Sequence, residues 1–139
     1  MALPHAPLRT IALVAHDAKK ADMVEFCQRH REALSAFALI GTGTTSARIV
    51  DATGLDIERL LSGPLGGDQQ IGARVATGQV HALFFFTDPL TAHPHEPDVL
   101  GLLRLCNVHG VPVAPNVATA ELLIDGLNRQ RLSNKAASV

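Results

Sequence analysis

Three stretches of the chain bring together groups able to hold an anion or move a proton. The first is Gly41-Thr-Gly-Thr-Thr-Ser46, a small, hydroxyl-rich loop between an apolar run and a helical pattern. Glycines let backbone N–H groups converge on an anion, a helix N-terminus adds a favourable dipole, and threonine hydroxyls donate further hydrogen bonds. Such a loop either cradles a phosphate or is an ordinary strand-to-helix turn. It is not a dinucleotide fingerprint, because Ser46 stands where a third glycine is needed and no acid closes a following strand at the usual distance. The second stretch is Ser62-Gly-Pro-Leu-Gly-Gly-Asp-Gln-Gln70, with an acid directly after its glycines. Backbone so bare can approach a ligand closely. The Asp68 carboxylate either caps its helix or points into a site as a base. The third is Asp88-Pro-Leu-Thr-Ala-His-Pro-His-Glu-Pro-Asp98, dense in titratable groups. His93, His95 and Asp98 have the chemistry of metal ligands, but no fourth ligand has fixed spacing. The other reading is proton transfer, with His95 as an electrophile and the carboxylates tuning its charge.

A fourth, smaller group is His16 with Lys20, four residues apart at the start of a predicted helix and therefore on one face. An imidazole and an ammonium side by side make an oxyanion or phosphate clamp. His5, His30, His81 and His109 have no such company and read as structural or exposed.

These groups are positioned by alternating apolar runs and helical patterns. Residues 10–15, 37–40 and 80–86 read as buried strands, and 111–114 as a short last strand held to an edge or a strand start by Pro112. Helical periodicity covers 19–30, 45–53, 68–77 and 98–109, with Gly54, Gly78 and Gly110 as stops. Thr119 is expected to cap a final helix ending at Leu127, and residues 55–61 fit helix and strand equally. The order predicts one α/β domain over residues 1–139, with a core of about 10–127 and loose ends. Its architecture is doubly wound, with a mostly parallel central sheet and helices on both faces. In such sheets ligands bind outside the carboxyl ends of the strands. That edge receives His16-Asp17, the threonine loop, Asp88 and Asn116.

Composition narrows the function. Among 139 residues, 47% are hydrophobic and 18% charged, which suits a packed core and not a disordered chain. Twelve Lys and Arg against thirteen Asp and Glu give a net charge of −1, and Trp and Tyr are absent. The near-zero balance argues against a nucleic-acid binder, and with only five Phe the stacking platforms for single strands are nearly absent. No apolar run approaches the ~20 residues of a membrane span. The start, interrupted by Pro4, His5 and Pro7, has no apolar segment of signal-peptide length. Cys27 and Cys106 are far apart and form no C-x-x-C, so they are expected as reduced thiols inside helices, which fits a cytoplasmic protein.

Taken together, Val14-Ala-His-Asp17 with Lys20, Thr42-Gly-Thr-Thr45, Ser62 to Gln70, Phe86-Thr-Asp-Pro-Leu90 with Pro94-His95 and Pro97-Asp98, and Pro115-Asn-Val-Ala-Thr119 resemble the methylglyoxal synthase family. The resemblance covers roughly residues 10–124 with the motifs in the family's order, and the Ser62–Gln70 block is its most specific part. It implies conversion of dihydroxyacetone phosphate to methylglyoxal and inorganic phosphate, without metal or organic cofactor. It implies a homohexamer inhibited by phosphate, and a small doubly wound fold that also serves as a ligand-binding regulatory domain in larger enzymes. By residue, it implies Asp68 as the base and His95 as hydrogen-bond donor to substrate oxygens, with Asp98 and His16 in the catalytic group. Substrate binding falls to His16, Lys20, Thr42, Gly43, Thr44, Thr45, Ser62, Gly63 and His95. Asp17, Asp88 and Asp98 match further acids that orient or tune the histidines.

Two departures stand out. The tail after Leu127 contains no Tyr, whereas relatives have a longer end with aromatic and basic residues; Arg129 and Arg131 are the available substitutes. Glu96 stands where relatives often carry Asp, keeping the charge. Two other function classes compete. A non-catalytic phosphate-binding module of the same fold needs the threonine loop but neither Asp68 nor His95. A metal-dependent hydrolase would need His93, His95 and Asp98 to converge.

Overall fold

The computed structural model describes residues 8–137. Five parallel strands form one sheet: β1 (Thr10–Ala15), β2 (Ala38–Thr42), β3 (Glu58–Leu60), β4 (Ala82–Phe86) and β5 (Val113–Ala114). Six helices connect and follow them: α1 (Lys20–Arg29), α2 (Arg31–Leu34), α3 (Gly43–Thr53), α4 (Gly67–Ala76), α5 (Glu96–His109) and α6 (Val117–Ala137). The strand order is β3-β2-β1-β4-β5. Residues of β1 lie level with those of both neighbours, Leu13 opposite Gly41 on β2 and Ala15 opposite Phe86 on β4. The order reverses between β1 and β4, so the crevice at their carboxyl ends is the switch point where such sheets receive ligands.

Successive strand residues face opposite sides, and this divides the core in two. Ile11, Leu13, Ala15, Phe84 and Phe86 pack against Met23, Phe26 and Cys27 of α1, Ile49 of α3 and Ile124 of α6. Ala12, Val14, Leu83 and Phe85 face the other way, onto Ile71 and Val75 of α4 and Leu102 and Cys106 of α5. Both faces of β1 and β4 are therefore covered, which is why these runs read as continuously apolar. Cys27 and Cys106 are free and buried in the two separate clusters.

Several boundaries differ from expectation, each for a local reason. The ambiguous stretch 55–61 contains β3, an edge strand whose Glu58 and Arg59 are exposed and only Leu60 is buried. The second strand runs on to Thr42 and passes straight into α3 at Gly43, which shortens the threonine loop. Asn116, not Thr119, caps the last helix: its Oδ1 accepts the Thr119 N–H at 2.9 Å. That helix continues to Ala137 instead of stopping at Leu127. Past Leu127 it is fixed by polar contacts, with Arg9 donating to Gln130 Oε1 at 2.8 Å and Arg131 donating to Asn128 Oδ1 at 3.0 Å. His5 lies outside the described residues. His30 is not solitary, since it and Arg29 both pair with Glu121 of α6. His81 is structural: its Nδ1 accepts the Thr10 N–H at 2.9 Å at the start of β1.

Candidate active site

The chain leaves β1 at His16, whose backbone is still extended (φ −63°, ψ 156°), and only then enters a 3₁₀ turn over Asp17–Lys19. His16 and Lys20 therefore do not share a helical face. Lys20 opens α1, and its Nζ donates to Thr44 Oγ1 at 2.6 Å and pairs with Asp17 Oδ1 at 2.5 Å. The pairing with the Lys20 ammonium holds the Asp17 carboxyl below its ordinary range. His16 instead turns toward β4, where its Nδ1 accepts the backbone N–H of Asp88 at 2.9 Å. The Asp88 carboxylate serves its own loop, accepting the Leu90 N–H at 3.0 Å. Asp88 thus orients His16 through its backbone, and Asp17 acts on Lys20.

At the end of β2, Thr42 precedes α3 without bonding the helix through its side chain. The first-turn N–H groups keep their capacity for an acceptor, and the helix dipole favours a negative one. Thr45 is buried and its Oγ1 reaches the Ala15 carbonyl at 3.5 Å, tying the cradle to β1, while Thr44 remains exposed beside Lys20. A Cβ on Gly43 would sit 3.0 Å from the Ser62 nitrogen, so the threonine loop and the second glycine loop meet backbone to backbone here.

The second loop makes a 3₁₀ turn over Gly63–Leu65 and enters α4 at Gly67. Gln70 steadies it, its Oε1 accepting the Leu61 N–H at 2.8 Å. Asp68 lies in the first turn of α4 but does not cap it. Its side chain is 1% exposed and faces His95, Oδ2 to Nε2 at 3.5 Å. Neither carboxylate oxygen has a hydrogen-bond partner among the described residues. Burial pushes the Asp68 carboxyl above its ordinary range, His95 opposes that shift, and the charge of Asp98 adds to it. A Cβ on Gly63 would lie 3.1 Å from His95 Nε2, 3.2 Å from Asp68 Oδ1 and 3.4 Å from Oδ2. The bare Gly63 backbone therefore borders the gap between the two groups.

His95 precedes α5, and its carbonyl accepts the N–H groups of Asp98 and Val99 at 3.0 and 3.2 Å. Asp98 sits in the first turn and accepts from Gln69 Nε2 at 3.3 Å. Among the described residues no group of three or more His, Cys, Asp or Glu is placed to hold a metal, so His93, His95 and Asp98 do not converge. Instead the His93 ring lies on the ring of His16. Asn116, expected at the same edge, is spent on its helix cap. The brace made by Gln70 and the stacking of His93 leave no mark in the sequence, because neither a loop brace nor a ring contact has a spacing signature.

The edge thus holds an ammonium–hydroxyl–helix cradle linked through Gly43–Ser62–Gly63 to a buried carboxylate facing an imidazole. Fold and site define a doubly wound α/β domain with a lysine–threonine cluster at a helix start and a buried carboxylate facing an imidazole at its switch point. A family model described as the MGS-like domain matches residues 22–115. A methylglyoxal synthase of Thermus thermophilus is 63% identical over 117 residues, covering 84% of this chain and 93% of that one. One from Clostridium beijerinckii is 57% identical over 114 residues, covering 82% and 96%. The crystal structure of methylglyoxal synthase from Elizabethkingia anophelis superimposes with a TM-score of 0.80 at 46% identity, covering 85% of this chain and 78% of that one. The chain belongs to the methylglyoxal synthase family.

Proposed function

We propose that this chain converts dihydroxyacetone phosphate to methylglyoxal and inorganic phosphate, acting as a carbon–oxygen lyase. The observation that carries the reading is Asp68: a buried carboxylate with both oxygens uncommitted, facing His95 Nε2 at 3.5 Å and joined by one loop contact to an anion cradle. A binding module has no need of that pair.

The C–H bonds of the hydroxymethyl group beside a ketone are weakly acidic, so deprotonation needs a base at carbon and a donor at oxygen. Asp68 takes the proton, and its raised proton affinity makes it a stronger base than an exposed carboxylate. His95 Nε2–H donates to the carbonyl oxygen, and the electron pair released from carbon forms the enediolate. Neutral His16 carries its hydrogen on Nε2, because its Nδ1 is engaged as an acceptor, and offers a second donor to the substrate. Lys20, Thr42, Thr44, Thr45 and the first turn of α3 bind the phosphate, and Gly43, Ser62 and Gly63 shape the passage to the base. The enediolate electrons then expel phosphate by breaking the C–O bond, and the enol product tautomerises to methylglyoxal. Elimination outruns reprotonation when that C–O bond stands perpendicular to the enediolate plane, an orientation the cradle would impose. Asp98 raises the proton affinity of Asp68 by like charge.

The same reading includes a homohexamer with phosphate as product and inhibitor. Leu65, Leu90, Leu100 and Leu122 are largely exposed and give an assembly apolar surface to cover. A cytoplasmic setting fits two free thiols and the finding that no described helix is long and apolar enough to cross a membrane. The test is direct: supplied with dihydroxyacetone phosphate, the protein releases methylglyoxal and phosphate in equal amounts. Formation of neither product overturns the proposal.

A further inference from the structure

His93 stacks on His16 with ring centroids 3.8 Å apart and planes 23° apart. Two other rings bracket His16: Phe85 of β4 edge-on at 5.2 Å and His95 edge-on at 5.9 Å. The position of His93 is built by its backbone. Its N–H donates to Glu96 Oε1 at 3.1 Å, and its carbonyl accepts the Glu96 N–H at 3.3 Å, a reciprocal box at the entry to α5. The Nε2 atoms of both His16 and His93 are buried without a partner among the described residues.

The two rings are not equivalent. The ring lone pair of His16 is engaged by the Asp88 N–H, so protonating His16 means breaking that bond. The His93 Nε2 carries no such commitment. Two imidazolium rings in van der Waals contact repel each other strongly, so the second proton enters the pair with difficulty. We propose that His93 is a positioning residue for His16: its stacked ring fixes the plane of the His16 imidazole, and the pair takes at most one proton, which the engaged lone pair of His16 does not accept. His16 then remains a neutral Nε2–H donor as the solution turns acidic. The proposal rests on the donor role given above to His16.

Other charges around the pair set the balance. Asp17 and Asp88 favour a charged ring, and His95 opposes it. Asp17 is already paired with Lys20, and Asp88 also faces Lys19. Burial first, then His93 and His95, lower the proton affinity of His16, in line with the geometry.

The test is a titration of isotope-labelled histidines by NMR, on the free protein and on two variants. In the parent, His16 keeps its hydrogen on Nε2 and titrates below the ordinary midpoint of about 6.5. His93→Phe keeps a stacked ring but no charge, and the His16 midpoint rises by about one pH unit or more. His93→Ala gives the same rise and also loses the stacking face, so kcat falls about tenfold with KM little changed, whereas His93→Phe keeps kcat above neutrality. In both variants the acid limb of the kcat profile moves to higher pH. An unchanged His16 midpoint in both variants, a hydrogen on His16 Nδ1, or two charged rings at once would overturn the proposal. The titration uses no substrate, so its failure leaves the lyase reading standing, whereas a parent protein without turnover refutes that reading and the donor role of His16 with it, but not the ring plane and proton balance that the titration reads.

Discussion

Replacing Gly63 by alanine adds one methyl group at the mouth of the gap between Asp68 and His95. The new carbon would stand 3.1 Å from His95 Nε2, and 3.2 and 3.4 Å from the two Asp68 oxygens. Ordinary contact begins at 3.4 Å, so the imidazole must retreat by 3.4 − 3.1 = 0.3 Å or rotate. The methyl also fills volume that the reacting carbon needs in order to sit against both groups. A methyl group in the place of the reacting carbon would push it away by about 1 Å, and misplacement on that scale costs about 100-fold in rate, or about 2.7 kcal/mol of barrier. Folding should tolerate the change. Gly63 is not among the described glycines with positive φ, so alanine fits the backbone there. Restricting the unfolded chain returns about 0.4–1 kcal/mol against the tight contacts. The assay pairs kcat/KM for dihydroxyacetone phosphate with a thermal melt and calorimetric phosphate binding. The expected result is a loss of about two decades in kcat/KM, with melting temperature and phosphate affinity close to the parent's. A Gly63→Ala protein turning over at the parent's rate would show that substrate does not react in this gap.

Lys20→Ala removes the ammonium that bridges Thr44 and Asp17. A charge-assisted hydrogen bond contributes about 1.5–3 kcal/mol, so the phosphate inhibition constant should rise about 10- to 100-fold while kcat changes less; unchanged inhibition would exclude Lys20 from the cradle. Stability should fall as pH falls through the histidine range. Burial lowers the proton affinity of His81, aided by Arg9, and the proton-free Nδ1 holds the Thr10 N–H. The unfolded chain therefore binds this proton first, and the stabilisation present above about 6.5 is lost toward the lower folded midpoint. Urea midpoints at pH 7.5 and 5.5 check this, and His81→Gln, which keeps an acceptor without a titrating group, should show a smaller difference. An equal difference in the two proteins would exclude His81 as a source.

How much of this was legible depends on what each residue's role leaves in the sequence. β1 and β4 were plain because both faces are buried, leaving uninterrupted apolar runs. β3 was not, because an edge strand of three residues with one buried side chain has no period to read. The far half of α6 was missed because apolar periodicity fades after Leu127 while polar contacts continue the helix. In the site, loops after parallel strands were bound to converge, so Asp68, His95, Lys20 and the threonines meet at one edge as the strand order requires. The four-residue spacing of His16 and Lys20 predicts a shared helical face, but a 3₁₀ turn intervenes in place of continuous α-helix. Ring stacking of His93 depends on how a proline-rich loop folds back, and residue spacing carries no record of that.

Asp68→Asn isolates the proposed proton abstraction by Asp68, because the amide keeps the shape and loses the base. Methylglyoxal and phosphate released from dihydroxyacetone phosphate by this variant should fall by about 10²–10⁴-fold, with inorganic phosphate still bound. Product formation within a few-fold of the parent would contradict the account.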